Sequence, residues 1–94
     1  MVFARIAPGD RLEFEKAFET VSRRVRGTPG HIGDELLRSD DDPGAYVLLS
    51  EWQSREAFLA WEDAPVHREA TTPMRPFWQG RVERCIYDRA AALA

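Results

Sequence analysis

Few side chains in this sequence could do chemistry, and most of them fall in one stretch, residues 45–70, AYVLLSEWQSREAFLAWEDAPVHREA. Trp52, Phe58 and Trp61 could form a flat apolar wall for an aromatic molecule, with an indole N–H as hydrogen-bond donor. His67 could act as a general base or as a metal ligand. Each also has a structural reading. Large aromatics at strand and helix spacing pack in cores, and a lone histidine can sit on a helix surface or a pocket rim. Downstream, Met74 and the apolar pair Phe77 and Trp78 could extend the same wall, and Tyr46 and Leu48 lie upstream on the strand that leads to Trp52.

Other patterns point away from familiar chemistry. His31 stands apart from His67, Cys85 is the only cysteine, and no metal-ligand spacing surrounds any of them. A structural zinc site is therefore not expected. Cys85 has no visible activating neighbour and reads as inert. Asp34 and Glu35 are adjacent on a strand, so they point to opposite faces and are not a carboxylate dyad. An inward acid there would need a partner or a raised pKa; solvation or a cross-strand pair is the simpler outcome. Asp40, Asp41 and Asp42 read as a solvated turn without the spaced ligands of a calcium loop. No glycine pattern matches a P-loop or a dinucleotide fingerprint, so ATP, NAD and flavin have no support.

The elements that must position these residues follow from periodicity and breakers. Residues 2–7 alternate as a strand, with Val2, Ala4 and Ile6 on one face. A helix follows from Asp10, where Asp10 and Glu13 resemble a capping box. Leu12, Phe14, Ala17, Phe18, Val21 and Val25 form its apolar stripe, and residues 27–30 end it. Residues 31–39 read as a second strand, with Ile32 and Leu36 on one face and Leu37 on the other. A polar turn joins it to the third strand as a hairpin. Ser54 caps the next helix, Pro65 interrupts it, and a further turn or two carries Val66, His67 and Ala70. Residues 72–76, with two prolines, read as irregular, and 81–88 as the last strand.

The order β-α-β-β-α-β is an α+β, ferredoxin-like arrangement, with an antiparallel sheet and helices on one face. The third strand is apolar on both faces, and no element remains to cover the second. A second copy packed sheet to sheet, as a two-fold homodimer, is the simplest cover. The chain has 94 residues, which suits a single domain over 1–94, with a core of 1–88 and a tail of 89–94. Its net charge of −3 and lack of a basic block argue against nucleic acid. No leader pattern or membrane-length apolar run is visible, so a cytoplasmic protein with no membrane partner is expected.

The strand ending Glu51, Trp52 and, two on, Ser54 is followed by a helix with Ala57, Phe58 and Trp61, then by His67, Arg68 and Glu69. With Pro29 and Gly30 before the second strand and a final strand over 80–87, this resembles the antibiotic biosynthesis monooxygenase family across nearly the whole chain. The resemblance implies a dimeric α/β barrel with a pocket in each subunit between sheet and helices. Some haem-degrading relatives use a tryptophan at the position of Trp61, and some quinone-forming relatives use one at that of Trp52. The haem-degrading relatives place their axial histidine about a turn beyond His67, near Thr71, and an asparagine on the first strand. The quinone-forming ones carry an asparagine at the position of Leu48. This sequence contains no asparagine. An amide at Leu48 would polarise a phenolate or hold a peroxide. His67, Ser50, Asp34, Arg84 and Tyr46 are the candidates to replace it.

The expected function is a cofactor-independent monooxygenase oxidising a small aromatic molecule, a phenol, hydroquinone or polyketide-type compound. Catalytic roles fall to His67, Trp52 and Trp61. Substrate binding falls to Asp34, Tyr46, Leu48, Phe58, Met74, Phe77 and Trp78. Two rivals remain: a polyketide cyclase or isomerase without oxygen chemistry, and a non-enzymatic small-molecule-binding dimer.

Overall fold

The computed structural model describes residues 1–93; the last residue of the expected tail, Ala94, lies outside the described residues. Strand β1 (Val2–Arg5) leads through a short 3-10 turn to helix α1 (Arg11–Val25), strand β2 (His31–Arg38) and strand β3 (Ala45–Trp52). Helices α2 (Arg55–Asp63) and α3 (Pro65–Thr71), a second 3-10 segment and strand β4 (Glu83–Arg84) complete the chain. The sheet order is β2-β3-β1-β4, with every pair antiparallel. The crossover through α1 sets β2 one strand away from β1, and the hairpin returns β3 into the gap. This is the ferredoxin-like α+β fold that the element order predicts.

Alternation fixes which side chains face the helices. Ala4 on β1 is buried, and Ile6, just beyond β1, and Tyr46 on β3 are buried and packed with Phe14, Val21 and Val25 of α1, Trp61 of α2, Ala70 of α3 and Met74. The opposite face carries Phe3, Leu37, Val47 and Leu49.

Several local expectations change. Asp10 sits in the 3-10 turn Pro8–Asp10 and its carboxylate makes no cap hydrogen bond; its helical backbone keeps it from reaching back over the first turn. Leu12 is 73% exposed, because two residues before Phe14 lies on the far side of α1. Ser54 does cap α2, accepting from the Ala57 N–H at 3.1 Å. The segment Thr72–Phe77 is 3-10 helix rather than irregular, a form compatible with prolines at this spacing. The last strand shrinks to two residues. Its ladder with β1 pairs Val2 with Arg84 and Phe3 with Glu83, ends with the Cys85 N–H donating to the Met1 carbonyl at 2.8 Å, and is preceded by Gly80 at φ +69°. Residues 86–93 form no further strand. No described helix is long and apolar enough to cross a membrane.

One irregularity matters for the site. The β2–β3 register shifts between His31 and Gly33, so that His31 pairs with Trp52 and Gly33 with Glu51. The bulge resets the alternation and brings His31 to the face of Asp34, which three steps along a regular strand would forbid. It also leaves Ile32 54% exposed rather than packed beside Leu36. Just before it, Gly30 adopts φ +85°, and a Cβ there would meet the Ala57 Cβ at 2.5 Å. Glycine therefore sets how closely the start of β2 approaches α2.

Candidate active site

A cavity of about 600 Å³ lies between the sheet and the helices, within the range of small-molecule sites. Its walls include Leu48 and Trp52 of β3, Phe58 and Trp61 of α2, and Met74 and Trp78 from the proline-containing segment. Trp52 and Trp61 lie nearly parallel, with ring centres 6.4 Å apart and 23° between planes, and Phe58 meets Trp52 edge-on at 5.9 Å. The aromatic wall expected from the spacing thus forms, and Trp61, buried, also belongs to the core. Phe77 does not join it: it packs edge-on against Phe14, 6.2 Å away. Trp78 is turned to the cavity by the end of the 3-10 segment, and its neighbour is thereby turned to the core.

Among the polar side chains that line this cavity, two clusters stand out, one joined to Trp52 and the other set against Trp61. The first centres on Asp34. Its side chain is only 6% exposed, as is that of His31. Asp34 Oδ1 accepts from Ser50 Oγ at 2.6 Å and from His31 Nε2 at 3.0 Å, and Oδ2 accepts from Ser22 Oγ of α1 at 2.9 Å. The Trp52 indole N–H donates to Ser50 Oγ at 2.8 Å. The inward acid has its partners, and the Trp52 N–H is held by the protein. Among these, Asp34, Ser50, Ser22 and Trp52 line the cavity, while His31 stacks its edge on Trp52 from behind, 5.0 Å between centres.

The second group is His67 with Arg75. The His67 ring meets the Trp61 ring at 80° and 5.2 Å, and no described side chain or backbone group hydrogen-bonds its nitrogens. Burial pushes the imidazole below its usual 6.5; the Arg75 charge adds to that push and Glu62 opposes it. A neutral imidazole facing a cavity can accept a proton. Arg75 Nη2 donates to Thr71 Oγ1 at 3.0 Å, and Thr71 in turn donates to the His67 carbonyl at 2.9 Å. The guanidinium carbon lies 5.5 Å from the Trp78 ring centre.

The remaining candidates for the role of an amide are placed as follows. The Tyr46 ring lines the cavity, but its hydroxyl donates to Glu15 Oε2 at 2.7 Å, away from His67. Burial, and then the Glu15 carboxylate, push this phenol above its ordinary 10.0. Arg84 is held by Glu62 through two bonds of 2.6 and 2.9 Å. The aspartate turn binds Arg5 through Asp42, at 2.7 and 3.1 Å. No cluster of three metal-ligating side chains occurs among the described residues.

Sequence reasoning passes over Ser22, His31 and Arg75 as site residues. Ser22 carries a readable signal, a hydroxyl inside the apolar stripe between Phe18 and Val25. His31 does not, because its placement depends on the bulge.

The family described as antibiotic biosynthesis monooxygenase matches residues 1–72. Protein SchA of Streptomyces halstedii is 39% identical over 75 residues, covering 80% of this chain and 20% of SchA. A mycobilin-producing heme oxygenase of Mycobacterium tuberculosis is 38% identical over 53 residues, covering 56% of this chain and 50% of that enzyme. This chain thus spans half or less of the length of these two relatives. The crystal structure of a mutant of SnoaB, a cofactor-independent oxygenase from Streptomyces nogalater, superposes with a TM-score of 0.81 at 24% identity, covering 98% of this chain and 92% of that one. At that identity the likeness is one of fold.

Proposed function

From the premise that this chain belongs to the antibiotic biosynthesis monooxygenase family, we propose that it is a cofactor-independent monooxygenase for an electron-rich aromatic, such as a phenol, hydroquinone or polyketide-type compound. One observation carries the reading. A histidine whose proton affinity is lowered by burial faces, without a hydrogen-bond partner, a cavity walled by Trp52, Phe58, Trp61 and Trp78. The flat wall binds the ring system, and His67 removes a phenolic or benzylic proton. The anion gives its electrons to oxygen, forming a carbon–oxygen bond at a CH₂ carbon. Loss of water from the resulting hydroperoxide leaves a carbonyl, with one oxygen atom retained and the other released in water. The Trp52–Ser50–Asp34 chain fixes the wall's orientation.

The test is oxygen uptake by chelator-treated protein with a panel of anthrones and hydroquinones under ¹⁸O₂. Uptake with one ¹⁸O atom in an anthrone-derived product is the expected result. Turnover without uptake would replace this reading with a cyclase or isomerase. Ligand binding without turnover on any member would favour a binding protein.

The likeness to the heme oxygenase favours a second reading, haem binding. Thr71 does not suit an axial role, since its hydroxyl is spent on the His67 carbonyl and Arg75. The imidazole that lines the cavity is His67, which would then hold the iron. A haem titration followed at the Soret band, with His67→Gln beside the parent protein, separates the two readings.

The open sheet face, with Phe3, Leu37, Val47 and Leu49, supports a homodimer packed sheet to sheet. Light scattering on a sizing column should give twice the chain mass, and Leu49→Asp should give a monomer.

A further inference from the structure

Five side chains of basic type line the cavity, and four have a clear account. Arg84 is bound by Glu62 at 2.6 Å and Arg89 by Glu51 at 3.2 Å. Arg55 is exposed to solvent at the first turn of α2, where water solvates it. His67 is the neutral base. Arg75 is different. Among the described residues no carboxylate lies within 4.0 Å of it, and its Nε is buried without an acceptor. Its one side-chain hydrogen bond is to a neutral hydroxyl, Thr71 Oγ1. An arginine stays protonated throughout the working range of proteins. A half-buried guanidinium facing apolar walls, with no counter-charge, is disfavoured unless something else supplies one.

The setting holds the group in place. Arg75 lies in the 3-10 segment between Pro73 and Pro76, whose rings fix φ, with Trp78 packed against the guanidinium. His67 stands one helical turn before the Thr71 hydroxyl that Arg75 grips. Of the carboxylates that line the cavity, Glu62 is held by Arg84, Glu51 by Arg89, and Asp34 by His31, Ser22 and Ser50. The fourth, Asp88, lies beyond β4 and more than 4.0 Å from Arg75. The positive charge therefore faces the cavity beside the base, where no described carboxylate pairs with it.

We propose that Arg75 is the anion-binding residue of the cavity, holding the oxygen anion of a planar aromatic phenolate next to His67. This rests on the aromatic-substrate reading above and deepens it. A phenol that loses its proton to His67 becomes an anion, and a fixed guanidinium stabilises that anion more than the neutral phenol. It supplies an electrostatic function that Leu48 cannot. The planar fork also suits an oxygen anion that lies in the plane of a ring stacked on Trp61.

The test compares two probes of one shape at pH 8, 4-nitro-1-naphtholate and its neutral methyl ether, by quenching of the tryptophan fluorescence. The parent protein should bind the anion about tenfold more tightly than the ether, even though the ether is more apolar. Arg75→Met should abolish that preference while leaving ether affinity unchanged, and Arg75→Lys should keep part of it. Arg75→Gln serves if the Met variant does not fold. Equal affinities in the parent protein, or an undiminished preference in the Met or Gln variant, would overturn the assignment. Failure of the parent protein to bind either probe would overturn the aromatic-cavity reading and this inference with it.

Discussion

The two polar ends of the cavity each hold a histidine and a charged side chain, Asp34 at one and Arg75 at the other, and differ in how completely they are paired. At one end Asp34 receives three hydrogen bonds, from Ser22, Ser50 and His31, and Ser50 itself accepts from Trp52. At the other, His67 makes no side-chain hydrogen bond and Arg75 has a buried Nε without an acceptor. Buried polar groups in folded proteins are nearly always satisfied. A closed network is a device for holding shape, because each partner fixes the others. An open one is a device for meeting something else. The acid end thus positions the indole wall, and the basic end awaits the substrate.

Four perturbations sharpen or break this contrast, beginning with the largest. Trp61 is shared by both ends, stacked on Trp52 and edged by His67. Trp61→Ala should lower unfolding stability by about 3–5 kcal/mol in urea melts and abolish probe binding together. Asp34→Ala strands a buried imidazole and two hydroxyls; it should cost about 1–3 kcal/mol in the same melts. If stability were unchanged, the acid end would not be structural. Ser22→Ala removes one donor from the network, and a loss of about 1 kcal/mol is expected.

The fourth and smallest effect is pH dependence. His67 in the fold binds its proton less readily than in the unfolded chain, where 6.5 is the ordinary value. As pH falls through 6.5 the unfolded state takes up a proton that the folded state resists. Stability should therefore fall with pH over that window and level off below the folded pKa. Melting temperatures of His67→Gln should lack this component of the slope. Oxygen uptake should be lost on the acid side with a midpoint below 6.5, since the base must be unprotonated. A midpoint above 6.5 would show that His67 is not the group that titrates.

The architecture was legible because it depends on periodicity. The continuous apolar run of residues 45–49, the cap at Ser54 and the break at Pro65 lead directly to β3, α2 and α3, and with them to the aromatic wall. The acid end was only half legible. Adjacency on a strand sends Asp34 inward or outward, but its partners come from a helix twelve residues earlier and from a bulge that reverses parity at His31. Nothing in local composition announces that bulge. Phe77 and Trp78 looked equivalent as an apolar pair, yet the end of the 3-10 segment separates them, one to Phe14 and one to the cavity. The length of β4 is not legible for a similar reason: residues 81–88 read as a strand, but β4 pairs only with Val2 and Phe3 of β1, and Gly80 at φ +69° lies just ahead of it. Arg75 was hidden by its surroundings, since an arginine between prolines reads as surface.

The most direct measurement places His67→Gln beside the parent protein, recording oxygen uptake on a substrate that the parent turns over and the melting temperature at pH 8. The contrast between the two ends predicts a loss of about 10²-fold or more in uptake with melting close to that of the parent. Retained uptake would contradict it, and so would a loss of activity that merely tracks a loss of fold.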